Sequence, residues 1–286
     1  MSNKQKGIIF IILSAFCFAL MNAFVRLAGD LPTIEKSFFR NLVALIFAGG
    51  VIVSSKQGFN YKKADLPLLI IRSFMGTIGI LGNFYALDRL NIADASMLNK
   101  LSPFFAIIFS FIFLKEKPKL IQTLCVIMAF IGSLFIIKPT MDLTQVLPAL
   151  AGFAGGMGAG AAYTAVRSLG KRGVAGPLIV FFFSAFSCLV TLPYIIFAYE
   201  PISLKQLIIL LFAGLAASGG QFSITAAYSY APAKEISIFD YTNIIFSAIL
   251  GFFLFAQVPD VYSFIGYVII CAMSATMFFF NKKATA

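Results

Sequence analysis

Histidine and tryptophan are absent from this 286-residue chain, and charged residues make up only 12% of it. Without histidine, the commonest metal ligand and the commonest general base are both missing. Carboxylates are scarce, 11 against 22 Lys and Arg, and they form no cluster; nor is there a Ser/Lys dyad. The four cysteines, Cys17, Cys125, Cys188 and Cys271, lie singly inside apolar runs with no Cys-x-x-Cys spacing. Metal and redox roles are therefore excluded, and apolar packing accounts for them. No connection is long enough for a soluble domain, and no phosphate-loop pattern occurs. No catalytic residue, metal or cofactor is expected.

What is present is apolar: 60% hydrophobic residues and a mean hydropathy of +0.95. Such a chain belongs in a bilayer. Its apolar runs are continuous over roughly 20 residues rather than alternating, which predicts membrane-spanning helices and not barrel strands. The net charge of +11 would suggest nucleic acid in a soluble protein. Here most Lys and Arg fall in short connections, where they set orientation, so no nucleic acid is expected. The first apolar run outlasts a signal peptide and lacks a small-residue cleavage site before Arg26; it is expected to stay as a span.

Ten spans are expected, over residues 7–25, 37–53, 67–87, 93–114, 121–137, 146–166, 178–197, 207–230, 236–255 and 262–280. With the N-terminus in the cytoplasm, only Arg26, Lys36, Arg40, Arg89, Lys100, Lys138 and Lys205 fall outside, 7 of the 22 Lys and Arg. Both termini are therefore expected in the cytoplasm. Residues 85–113 line up with 228–253, Tyr-Ala-Leu against Tyr-Ser-Tyr, then a polar helix start, then a Phe/Ile run. Five spans per half is an odd number, so the second half enters the membrane from the opposite side. The expected fold is an all-α integral membrane protein of ten transmembrane helices in two inverted-topology five-helix repeats, residues 1–140 and 141–286.

Between the halves, Gly152, Gly156 and Gly160 recur every fourth residue, in a pattern that resembles a nucleotide loop. A dinucleotide fingerprint needs a preceding strand; inside a membrane helix these glycines predict close helix packing.

Polar side chains inside spans cost a few kcal/mol unless they meet a partner or water, so they are the functional candidates. Helical spacing groups them. Ser96, Asn99, Lys100 and Pro103 share a face of the fourth span; Ser237, Asp240, Asn243 and Ser247 share one of the ninth. Asn22 and Arg26 pair in the first, and Arg72, Gly76, Gly79 and Asn83 form a stripe in the third. Gln221, Thr225 and Tyr228 mark the eighth, with Tyr163 and Arg167 in the sixth. Two readings stand for Arg72 and Arg167, headgroup snorkelling or cavity lining. Asn22, Asn83 and Gln221 fit either helix-to-helix hydrogen bonding or a cavity, and Asp94, Glu35 and Glu235 read as helix caps. Lys100 and Asp240 occupy nearly equivalent positions in the two repeats with opposite charge. They are expected to hold a zwitterionic or mixed-charge substrate, or each other in one state of a cycle. Asp240 is also the candidate for a coupling proton.

These residues resemble a known family. Leu101-Ser-Pro103 running to Phe113-Leu-Lys-Glu116 is similar to the EamA branch of the drug/metabolite transporter superfamily. So is Ala227-Tyr-Ser-Tyr-Ala-Pro-Ala233 leading to Phe239-Asp-Tyr-Thr242 and Leu254-Phe-Ala-Gln-Val-Pro259. Arg40 and Tyr163 also fit. The resemblance implies a ten-helix carrier for a small organic metabolite, such as an amino acid, a nucleoside-like compound or a cofactor precursor. It also implies a central cavity from the first, third and fourth helices and their counterparts. Two departures stand out: Gln257 where the first half has Glu116, and a charge at Lys100.

The expected function is secondary active transport across the cytoplasmic membrane by alternating access. The expected substrate-binding set is Asn22, Arg40, Asn83, Tyr85, Ser96, Asn99, Lys100, Tyr163, Gln221, Thr225, Tyr228, Ser237, Asp240, Tyr241 and Asn243, the tyrosines stacking on a planar or apolar part. Its partners would be the lipid bilayer, a small-molecule substrate and a coupling proton or exchanged metabolite, with the protein a monomer or homodimer. A passive channel or lipid scramblase, and an intramembrane lipid-modifying enzyme, are the other readings.

Overall fold

A computed structural model describes residues 2–55, 61–114, 118–137, 143–230 and 237–283. Every regular element among them is helical: α1 (Asn3–Leu27), α2 (Thr33–Ser54), α3 (Leu66–Arg89), α4 (Ile92–Asn99), α5 (Ser102–Leu114), α6 (Leu120–Ile137), α7 (Leu143–Lys171), α8 (Gly176–Phe197), α9 (Leu204–Tyr230), α10 (Thr242–Phe255) and α11 (Val261–Lys283). Single turns of 3-10 helix precede α3 and α10. Among the described residues, nine stretches are long and apolar enough to cross a membrane, α4 and α5 counting as one, and Phe239–Phe255 is a shorter apolar helix. The outer surface is itself apolar, with Leu120, Phe253 and Leu204 each more than 70% exposed. Hydrocarbon, not water, suits such a surface.

The fourth span is not continuous. Pro103 has no N–H to give the carbonyl of Asn99. Leu101 N–H instead bonds Leu98 at 3.2 Å, and Phe104 and Phe105 both turn back to Leu101. The α-helical pattern therefore lapses at Lys100 and Leu101, and α5 starts afresh. The ninth span opens similarly, with Ser237–Tyr241 as 3-10 helix before α10. Lys100 and Asp240 thus sit at the two irregularities.

Helices pair across the chain: α1 with α9, α2 with α8, α3 with α7, α4 with α10 and α6 with α11. The α3–α7 seam is made by backbone. A Cβ on Gly82 would stand 2.5 Å from the carbonyl oxygen of Ala151, and one on Gly155 2.9 Å from the nitrogen of Asn83. On another face of α7, Gly156 lets the helix lie against the backbone of Leu98 and Asn99. The glycine run therefore packs two neighbours at once and carries the polar end of α4 into the middle of the bundle.

Candidate functional site

Where α4 breaks, its buried C-terminal end meets the 3-10 turn that opens α10. Lys100 Nζ lies 2.6 Å from Asp240 Oδ2, with the two side chains only 10% and 18% exposed. Tyr241, next to Asp240, donates its hydroxyl to the carbonyl oxygen of Lys100 at 3.0 Å. One turn deeper, Ser96 Oγ and Ser247 Oγ are 2.9 Å apart, and Asn22 Nδ2 donates to Ser96 at 3.1 Å. Asn243 Nδ2 donates to the carbonyl of Ala15 at 2.8 Å. These bonds draw α1, α4 and α10 into one polar seam.

The seam borders a cavity of about 100 Å³. Of the expected substrate-binding residues, Asn22, Arg40, Asn83, Ser96, Asn99, Lys100, Tyr163, Gln221 and Asn243 line it. Tyr163, 44% exposed, faces this space among the charges of Lys100, Asp240, Arg72 and Arg40. Tyr85, Asp240 and Tyr241 lie outside the lining: Tyr85 stacks under the Arg89 guanidinium at 3.9 Å, while Asp240 and Tyr241 hold Lys100 from behind. The side chains of Thr225, Tyr228 and Ser237, and residues Glu116 and Glu235, lie outside the described set.

Arg72 is in the lining, one of the two positions its spacing left open. It is 5% exposed, and its guanidinium carbon stands 3.9 Å from the ring centroid of Phe183. Arg40, 2% exposed, approaches the same ring at 5.9 Å. Phe183, Phe18, Met21 and Phe84 also line the space; as apolar residues in apolar helices they gave no sequence signal. Asp94 does not cap: Asn91 precedes α4, and Asp94, in its first turn, accepts the Tyr267 hydroxyl at 2.7 Å. Glu35 accepts Glu200 N–H at 2.7 Å, tying α2 to the chain after α8. Gln257 reaches across the halves, its Oε1 accepting Ile92 N–H at 3.0 Å at the start of α4. Lys36 pairs with Asp88 at 2.5 Å, and Arg26 bonds the carbonyls of Leu87 and Leu90.

The profile of the EamA-like transporter family matches twice, over residues 5–138 and 147–279. The chain belongs to that family. Among curated relatives of this EamA protein, the pseudopaline exporter CntI of Pseudomonas aeruginosa strain UCBPP-PA14 is 31% identical over 93% of both chains. Human solute carrier family 35 member G1 is 27% identical over 88% of this chain and 73% of its own. One solved crystal structure shares the fold, covering 96% of this chain and 99% of its own with a TM-score of 0.63 at 15% identity. The family and these relatives are transporters rather than enzymes. The EamA chain is accordingly a multi-pass membrane protein of the drug/metabolite transporter type, with a small-molecule substrate and the bilayer as partners.

Proposed function

We propose that this EamA protein is a secondary active transporter that moves a small organic metabolite across the cytoplasmic membrane by alternating access. The observation that carries the reading is the polar cavity between the halves, bordered by the Lys100–Asp240 pair at 2.6 Å. Its volume of about 100 Å³ is below the ~300–1,000 Å³ of ordinary ligand pockets, so a metabolite enters only when the helices part. The ten-span, inverted-repeat reading is supported by the two family matches and by the pairing of helices. In that reading α2 with α8, α4 with α10 and α6 with α11 are counterparts meeting each other, while α1 with α9 and α3 with α7 exchange partners.

The two halves rock about α4 and α10, whose interrupted helices place polar groups at mid-membrane. Lys100, Asn99, Ser96, Asn22, Asn83, Asn243, Gln221, Arg40 and Tyr163 contact the substrate. Protonation of Asp240 releases Lys100, which couples a proton to the movement. Both termini lie in the cytoplasm, and the protein works as a monomer or homodimer. The exporter among the relatives supports outward movement. Counterflow in proteoliposomes tests the reading: preloaded unlabelled substrate must accelerate uptake of labelled substrate. Flux without trans-stimulation would instead indicate a channel or scramblase.

A further inference from the structure

Taking an organic substrate in this cavity as given, the charge that lines it says what kind. Among the described residues that line it, three are cations, Arg40, Arg72 and Lys100, and none is a carboxylate. Lys100 is answered by Asp240. The arginines are not: Arg40 Nε, Arg72 Nε and Arg72 Nη1 are buried without any hydrogen-bond partner among the described residues. Arg40 gives one N–H, from Nη1, to Asn41 Oδ1 at 2.6 Å, which orients it without neutralising it. Phe183 offers both guanidinium groups a ring face, which is attractive but brings no charge. A buried cation without a counter-charge is costly, and two sharing one ring repel each other as well. The wall also holds unpartnered acceptors, Asn22 Oδ1 and Asn83 Oδ1.

We infer that Arg40 and Arg72 form an oxyanion subsite, so that the substrate is an organic anion. Its carboxylate or phosphate oxygens take the free N–H groups of the two guanidinium forks, which suit planar, bidentate acceptors. A hydroxyl or amine on the same molecule donates to Asn22 and Asn83. The anion supplies the missing counter-charge, so binding and closure of the arginine side of the cavity occur together.

Thermal unfolding of the purified protein in detergent, at constant ionic strength with sodium chloride as reference, tests this. Succinate and inorganic phosphate are the probes, and ribitol and putrescine the neutral and cationic controls. At saturation at least one oxyanion is expected to raise the wild-type Tm by about 3 °C or more, and which one does so separates carboxylate from phosphate. Arg40→Gln and Arg72→Gln are expected to abolish the shift, and Arg72→Lys to keep part of it. Arg72→Gln without ligand is expected to unfold at or above the wild-type temperature, because it removes an unanswered buried charge; this separates lost binding from lost folding. No shift by either oxyanion, an equal shift in the Gln variants, or an equal shift by ribitol or putrescine would overturn the assignment. Counterflow separates this inference from the transport reading. Exchange of ribitol or putrescine but of neither oxyanion leaves transport standing and removes the subsite; arginine-dependent oxyanion binding without exchange of any solute does the reverse.

Discussion

Replacing Lys100 with Met leaves Asp240 in place at 18% side-chain exposure, its Oδ2 without the ammonium 2.6 Å away and its Oδ1 already buried without a hydrogen-bond partner among the described residues. Losing one member of a buried pair costs about 3–5 kcal/mol, because the remaining charge keeps its desolvation penalty and loses its attraction. The residual exposure of both side chains places this pair at or slightly below the lower end, about 2–3 kcal/mol. The backbone turn itself is not at stake, since Tyr241 holds the carbonyl of Lys100 rather than its side chain. Asp240→Leu should cost a similar amount. The double variant should cost only about 1 kcal/mol, since an apolar pair of similar volume replaces a desolvated ionic one.

The double-mutant cycle should therefore give a coupling energy of about 3–5 kcal/mol, at or above the upper end of the usual ~0.5–3 kcal/mol. In thermal unfolding each single variant falls by about 4–12 °C, at about 2–4 °C per kcal/mol for chains of a few hundred residues, and the double variant recovers most of the loss. Additive effects would refute the reasoning, for they would mean that the two charges do not sense each other. In proteoliposomes Lys100→Met should lose exchange, and the exchanged pair, Lys100→Asp with Asp240→Lys, should regain part of it.

Gly82→Ala should part α3 from α7 and cost at least about 2 kcal/mol, because its methyl would meet backbone at 2.5 Å. Gly170→Ala, with nothing within 4 Å of its Cβ, should be neutral or gain up to ~0.5–1 kcal/mol, measured by the same unfolding assay. Gln257→Glu places a carboxylate at the start of α4 and should stabilise by about 0.3–1 kcal/mol at low ionic strength, with the gain shrinking in salt. If Asp240 carries the coupling proton, Asp240→Asn should keep counterflow while losing acceleration by an imposed pH gradient. A C-terminal tag should be protected from added protease in intact cells and cut in inverted vesicles; the opposite result would reverse the orientation.

Hydropathy made the helices legible because each span must satisfy its own backbone in lipid, and that demand writes itself as a long apolar run. The polar faces were legible for the same reason: Asn22, Asn83, Ser96 and Lys100 stand out against Phe and Ile, and they converge on one cavity. What failed to show was partner choice. Asp94 and Glu35 read as caps because the start of a helix is the local explanation for a carboxylate, whereas Tyr267 and Glu200 reach them from 173 and 165 residues away. Tyr85 and Tyr241 shared the polar neighbourhoods but turn to Arg89 and to the Lys100 carbonyl. Phe183 was invisible, since an aromatic residue in an aromatic-rich helix carries no signal until two guanidinium groups are seen against its ring.

The opposite charges at residues 100 and 240 follow from where a pseudo-two-fold axis would have to run. In a two-fold arrangement, a residue on the axis meets its own counterpart. Residues 140 apart in the two proposed repeats do meet, at 2.6 Å. Had both copies kept Lys, two ammonium groups would face each other in a low-dielectric seam; two Asp would be no better. In the proposed repeats, opposite charges at these two positions put an attraction where like charges would repel. The ties near the α1–α2 connection behave differently, because Lys36–Asp88, Arg26 with Leu87 and Leu90, and Glu35 with Glu200 all lie on one side of the cavity. In the proposed rocking cycle those ties would break and others would form opposite them, whereas a contact on the axis would stand at the pivot. In that cycle the Lys100–Asp240 pair opens when one of its charges is removed or answered elsewhere: a proton on Asp240 does the first, and an anion held by Arg40 and Arg72 beside Lys100 is placed to do the second.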